Sequence, residues 1–223
     1  MSGEPKPSGT VVVVRDGAAL EVLLLQRMPR GGKPGPWVFP GGKVDASDRG
    51  AGARGSAEAD ARRAAVREAR EEAALELSGS ELVPISRWIT PAISPKRFDT
   101  WFYLGISPPE APVEVDGQEI GDHRWLRPQE ALAAHQQGTL QLAPPTFVTV
   151  AWLTEFTSSE DALRTWAARE IPLFEPCVIR EDQGACMLYS GDAGYAQRDL
   201  AAAGARHRLW ARPGAWRYEL RLA

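Results

Sequence analysis

The segment from residue 57 to 75, AEADARRAAVREAREEAAL, constrains this chain more than any other. It is built almost wholly of alanine, glutamate and arginine, which are strong helix formers, and neither glycine nor proline interrupts it. Ser56 stands where an N-cap belongs, and Glu58 and Asp60 place acid in the first turn, where the helix dipole favours it. Ala65, Ala69 and Ala73 recur every fourth residue with Val66 beside them. That small-residue stripe lets a helix approach a sheet closely, so the segment predicts a helix packed on strands.

The strands are legible around it. Residues 11–16 (VVVVRD) and 20–27 (LEVLLLQR) flank Gly17 and read as a strand pair. A basic loop rich in glycine and proline, 28–36, leads to a short strand, Trp37-Val38-Phe39, that ends at Pro40-Gly41-Gly42. Residues 45–55 carry no large apolar side chain and predict a surface loop before the helix. Residues 82–90, 97–106 and 119–126 read as strands, and Phe98, Thr100, Phe102 and Leu104 share one face by alternation. Pro128 opens a helix through 135, and residues 146–169 predict two helices split near Ser158-Ser159. In the tail, 186–189 and 207–221 are strand-like.

The pattern is mixed α/β without regular βαβ alternation. It divides into a domain over 8–158 and a C-terminal α/β extension over 159–223. Trp166, Leu173, Phe174, Leu188, Trp210 and Trp216 in the tail must bury against the domain or a second subunit, so a homodimer is one expectation.

Several classes are disfavoured by composition. A net charge of −3 gives no footprint for a nucleic-acid backbone. The longest apolar run falls far short of the roughly 20 residues that span a bilayer, so no membrane partner is expected. Two cysteines, Cys177 and Cys186, build no disulfide framework and fit reduced thiols in a cytoplasmic protein. His123, His135 and His207 show no metal-ligand spacing.

The chemistry concentrates in Arg67-Glu68-Ala69-Arg70-Glu71-Glu72. On a helix Glu68, Glu71 and Glu72 fall at i, i+3 and i+4 and share one face. Carboxylates so close repel one another unless a cation lies among them, and hard divalent ions such as Mg2+ or Mn2+ favour oxygen ligands. The same run also suits a solvated helix face whose acids pair with neighbouring arginines.

With Phe39-Pro40-Gly41-Gly42 upstream, the helix resembles the box of the Nudix hydrolases: glycine, five residues, glutamate, seven residues, then Arg-Glu-aliphatic-x-Glu-Glu-x-Gly-aliphatic. Gly42 matches the opening glycine, and Arg67, Glu68, Glu71, Glu72 and Leu75 match the second half. The resemblance implies the Nudix fold, a mixed sheet sandwiched between helices. It implies Glu68, Glu71 and Glu72 as metal ligands with the Gly41 carbonyl, Arg67 as the residue that orients a carboxylate, and one glutamate, Glu68 among them, as base. Glu119, before Trp125, resembles a further catalytic glutamate of some members.

The chain departs from the box in places. Gly42 and Arg67 lie 25 positions apart where the box has 14, so 11 residues are inserted, about 45–55. Counting eight back from Arg67 places the first glutamate at Ala59, with Glu58 and Asp60 beside it as replacements. The late glycine, which would relieve a left-handed conformation at the helix end, is replaced by Ala74.

The run LLLQRMPRGGKPGPWVFPGGKVDASD, with RFDTWFYL, WLRPQEAL and LQLAPPTF, resembles the peroxisomal-type coenzyme A diphosphatase branch from about residue 10 to 155. That branch also carries an insertion in its box. The branch implies a metal-dependent hydrolase cleaving the diphosphate of coenzyme A or an acyl derivative. Arg27, Arg30, Lys33 and Arg97 are candidates for its phosphates and Trp37 for a base or acyl group. ADP-ribose, NADH and dinucleoside polyphosphates are the alternative substrates, and a catalytically silent nucleotide sensor is the alternative function.

Overall fold

The computed structural model describes residues 3–29, 35–50 and 56–221. Its first eleven strands and helices make the main layer. They are β1 (Lys6–Asp16), β2 (Leu20–Arg27), β3 (Trp37–Val38), β4 (Gly41–Lys43), α1 (Ala57–Ala73), β5 (Val83–Ile89), β6 (Phe98–Ile106), β7 (Ile120–Leu126), α2 (Pro128–Gln136), α3 (Pro144–Leu153) and α4 (Ser159–Ala167). Five short strands follow: β8 (Leu173–Phe174), β9 (Cys177–Glu181), β10 (Gly184–Leu188), β11 (Arg206–Ala211) and β12 (Arg217–Arg221).

Eight strands form one mixed sheet along the path β3-β2-β1-β6-β5-β8, with β4 added on β1 and β7 on β2. β1 is longer than the valine run predicts and begins at Lys6, because two other segments pair with its first half. On one edge it runs parallel to β6 from Lys6↔Phe98 to Val14↔Ile106. On the other edge its second half pairs with β2, from Val14↔Val22 to Asp16↔Leu20, and its first half with β4, from Ser8↔Lys43 to Thr10↔Gly41. β1 and β2 therefore part, and residues 37–43 fill the gap. This parting brings Gly41 and Gly42 into the sheet beneath α1.

Strand alternation divides the core. Val11, Val13, Leu23, Leu25, Tyr103 and Ile120 meet Ala61, Ala65, Ala69 and Ala73 of α1. The predicted alanine stripe is thus the buried face of the helix. Gly9 is what permits the approach, since a Cβ there would lie 1.8 Å from the Ala61 carbonyl oxygen. Ser56 caps α1 by accepting from the Ala59 amide at 3.1 Å. At the other end Ala74 adopts φ 54°, the left-handed conformation usually taken by glycine, and its amide closes on the Arg70 carbonyl at 3.0 Å.

The opposite face of the sheet buries Val12, Val14, Val22, Leu24, Phe102 and Leu104 against α2, α3, α4 and the C-terminal strands. β9 to β12 form a separate antiparallel sheet in the order β12-β11-β10-β9. It contributes Leu209, with Tyr189 just beyond β10, to the same buried cluster, and Phe174 of β8 stacks on Trp88 at 4.0 Å between ring centroids. Trp216 is held to α2 through its amide, which donates to the Gln136 side chain at 2.9 Å. The aromatic residues of the tail find their partners within the chain. Each fully buried large apolar side chain is worth about 1.5–3 kcal/mol, against a total stability of about 5–15 kcal/mol, so this packing is integral to the fold.

The strand-like stretch 207–221 holds two strands, β11 and β12. Pro213 and Gly214, at φ 66°, make the turn between them, with the Ala215 amide donating to the Arg212 carbonyl at 2.9 Å. β8 and β9 are not legible in the sequence. β8 is two residues long, and pairing with β5 alone defines it.

Candidate active site

α1 lies across β4 so that its acidic face meets the glycine turn. Glu72 is buried, its side chain 5% exposed, and its Oε2 accepts a hydrogen bond from the Gly41 amide at 2.9 Å. Glu68, one turn earlier, is 17% exposed, and a Cβ on Gly42 would lie 2.1 Å from its Oε1. Only glycine lets that carboxylate rest on the turn. Glu71 is 57% exposed and pairs with Arg67 at 2.8 Å. The three glutamates expected on one face therefore experience three environments.

Burial pushes the Glu72 carboxyl up to about 7, against the opposing pull of the Gly41 amide and Arg27, with Glu68 and Glu119 adding repulsion. Burial likewise raises Glu68, and the adjacent Arg67 partly offsets it. Two desolvated carboxylates facing one turn suit a divalent cation, since hard ions prefer such oxygens. Among the described residues no group of three acidic, histidine or cysteine side chains is gathered as a ready-made cage. The reason is visible in the ion pairs: Glu68 and Glu71 are drawn to Arg67, and Glu72 to Arg27.

Arg67 is the hub on one side. Its Nη1 donates to Glu68 at 2.9 Å and to Glu71 at 2.8 Å, while Nη2 donates to Asp48 at 2.9 Å and to the Lys43 carbonyl at 3.0 Å. Arg67 thus contacts both carboxylates as well as Asp48. Asp48 belongs to a 3-10 turn, Ala46–Asp48, and is only 4% exposed. Burial alone would raise its carboxyl, but hydrogen bonds from Arg67 and the Asp45 amide hold it below the ordinary range.

Residues 45–50 run over the surface as expected, apart from Asp48, which is buried against Arg67; residues 51–55 lie outside the described residues. One expectation drawn from the sequence changes with this geometry. The acid of the box's first half is better matched by Asp48 than by the neighbours of Ala59. Five residues separate Gly42 from Asp48, the spacing of the box, so the inserted residues follow the acid. Counting forward from Gly42 finds it, and counting back from Arg67 runs through the insertion. Glu58 and Asp60 are engaged elsewhere, with Arg62 at 2.8 Å and with Arg63.

Arg27, at the end of β2, is the hub on the other side. It donates to the Gly41 carbonyl at 3.4 Å and lies 3.8 Å from Glu72 and 3.6 Å from Glu119. Glu119, immediately before β7, is 64% exposed. Arg97 is turned to the Thr90 carbonyl at 3.0 Å and to Glu175 of the extension at 3.9 Å. Trp37 is 3% exposed, and Arg124 covers one face of its ring at 4.9 Å, so the stacking expected of it has no open ring to use. Arg30 and Lys33 lie outside the described residues.

A mixed sheet parted to admit a glycine turn, with a helix laying buried carboxylates on that turn, defines an α/β domain of Nudix type. The NUDIX domain family model matches residues 5–147, and the chain belongs to that family. A NUDIX hydrolase from Alicyclobacillus acidocaldarius superposes with a TM-score of 0.64 at 25% identity, over 76% of this chain and all of that one. Human acyl-coenzyme A diphosphatase NUDT19 is 30% identical over 115 residues, 49% of this chain and 31% of the human protein. Putative nudix hydrolase 7 of Caenorhabditis elegans is 29% identical over 147 residues, 50% of this chain and 48% of the nematode protein. The matched region thus spans 31% to 48% of the length of these curated relatives. Among the described residues no helix is long and apolar enough to cross a membrane.

Proposed function

We propose that this protein is a divalent-metal-dependent diphosphatase that cleaves coenzyme A or an acyl-coenzyme A. The observation that carries the hydrolase reading is the buried Glu72, fixed by the Gly41 amide at 2.9 Å, beside Glu68 on the same turn. A carboxylate so desolvated is costly without a cation close by. Glu68, Glu71, Glu72 and the Gly41 carbonyl are the residues that would hold Mg2+ or Mn2+. When bound, the metal neutralises phosphate charge and lowers the pKa of water. Arg67 holds Glu68 and Glu71 in place. Glu68 is assigned as base, being largely buried and next to the turn, and Glu119 is a second acid at the rim.

The substrate assignment rests on the activity named for the human relative and on the motifs of the coenzyme A branch. Arg27 and Arg30 are assigned to its phosphates. Arg97 and Trp37 are weaker assignments, because both are engaged within the fold. The two free thiols, Cys177 half-buried and Cys186 buried, support a cytoplasmic setting.

The test is a panel of diphosphates, including coenzyme A, dephospho-coenzyme A, ADP-ribose, NADH and a dinucleoside polyphosphate, incubated with Mg2+ and read by mass spectrometry. The expected products from coenzyme A are 3′,5′-ADP and 4′-phosphopantetheine. Best turnover of ADP-ribose removes the coenzyme A assignment and keeps the hydrolase. Tight binding without turnover of any compound removes the hydrolase.

A further inference from the structure

Arg27 occupies the middle of an oxygen set assembled from three distant parts of the chain. Its Nη2 reaches the Gly41 carbonyl of β4 at 3.4 Å and Glu72 of α1 at 3.8 Å, and its Nη1 reaches Glu119 at 3.6 Å. Gly41 and Glu72 are oxygens that the proposed function gives to a metal, and Glu119 is the acid at its rim. A guanidinium and a divalent ion cannot share those oxygens without strong repulsion. The contacts are long for charge-assisted hydrogen bonds, which run about 2.7–2.9 Å. The Arg27 side chain is 35% exposed, so it has an open path away from the turn.

On these grounds we propose that Arg27 is a displaceable counter-cation. It holds the Gly41, Glu72 and Glu119 oxygens in the metal-free protein, yields them to the incoming metal, and then pairs with the diphosphate of the substrate. The inference rests on the metal-dependent reading above. It makes metal binding precede productive substrate binding, because the cation that recognises phosphate is released only by the metal. A fixed brace would behave oppositely: removing it would splay the oxygens and weaken the metal.

The experiment measures Mn2+ binding to the whole chain, without substrate, from the electron paramagnetic resonance signal of free Mn2+. Arg27→Met keeps an unbranched stem and removes the charge, and Arg27→Lys keeps the charge. The expected result is a Kd for Mn2+ about threefold to tenfold lower in Arg27→Met than in the wild type, with Arg27→Lys close to wild type. At saturating Mn2+, calorimetry should show Arg27→Met binding ADP about tenfold more weakly. Equal or weaker Mn2+ binding by Arg27→Met, with an unchanged far-UV spectrum, overturns the displacement while leaving the diphosphatase reading intact. Unchanged ADP affinity overturns the second half of the exchange. If Glu72→Gln binds Mn2+ as well as the wild type does, the metal lies elsewhere and both readings fall together.

Discussion

Asp48 and Arg67 clasp each other across the glycine turn, Oδ2 to Nη2 at 2.9 Å, although nineteen positions separate them. The Asp48 side chain is 5% exposed and that of Arg67 22%. The pair ties the 3-10 turn that follows β4 to the helix carrying the glutamates. It lets Arg67 present its other nitrogen to Glu68 and Glu71 rather than to solvent.

Asp48→Asn should therefore act on both stability and catalysis. Breaking a buried ion pair by removing one partner costs about 3–5 kcal/mol; partial exposure of Arg67 brings the expected loss to about 1–3 kcal/mol. The catalytic loss should fall on kcat rather than on KM, since Asp48 acts through Arg67. Urea unfolding and steady-state kinetics on the same preparation check both. A rise in KM with kcat unchanged would contradict the bracing role.

Glu72→Gln and Glu71→Gln should separate burial from chemistry. Each is nearly isosteric and should lower metal-dependent turnover by about a hundredfold or more, the scale seen when one electrostatic group is lost from a catalytic site. Their metal-free stabilities should differ. Glu72→Gln neutralises a buried carboxylate and should not lower the melting temperature, whereas exposed Glu71 only loses its pairing with Arg67. Full turnover in both variants would remove them from the site.

Gly9→Ala is expected to be among the most damaging single-methyl changes in the domain. The added carbon would meet the Ala61 carbonyl oxygen at 1.8 Å, and both atoms are fixed by the backbone that carries them. Neither can rotate away, so α1 must lift from β1 at a cost of about 3 kcal/mol or more. Chemical unfolding should show the midpoint falling accordingly, or the protein should fail to accumulate.

Ala74→Gly should do the reverse. A left-handed alanine costs roughly 1–2 kcal/mol relative to a right-handed one, and glycine is largely spared this. Part of the gain returns as unfolded-state entropy, leaving about 0.5–1 kcal/mol of stabilisation. For a chain of this size that is a rise of roughly 1–4 °C in melting temperature, measurable by calorimetry.

Asp192 and Arg208 are expected to make the extension sensitive to acid. Their side chains are 0% and 2% exposed and lie 2.6 Å apart. Burial would raise the Asp192 carboxyl, but Arg208 and the His207 and Gly194 amides hold it down at about 2. A depressed carboxyl stabilises the fold above its unfolded pKa of about 4, and that contribution, about 2 kcal/mol, is lost as pH falls toward 2. Unfolding midpoints should drop between pH 4 and 2 in the wild type. Asp192→Asn should be less stable at neutral pH and show a shallower acid limb.

Much of this site is legible in the amino-acid sequence. The helix from residue 57, its serine cap, its alanine stripe and the spacing of Glu68, Glu71 and Glu72 follow from propensity and from the 3.6-residue turn, which are properties of contiguous sequence. The glycine turn and most strands follow from alternation and punctuation. Which glutamate is buried does not. Glu72 is enclosed because β4 pairs with the first half of β1 and brings the Gly41 amide beneath the helix, a pairing across about thirty residues. The same holds for Asp48 reaching Arg67, for Arg27 meeting Gly41, Glu72 and Glu119, and for Trp37 disappearing under Arg124. Local spacing determines which side chains share a face. Only the register of distant strands decides what that face is pressed against, and so which charges are desolvated and which remain in water.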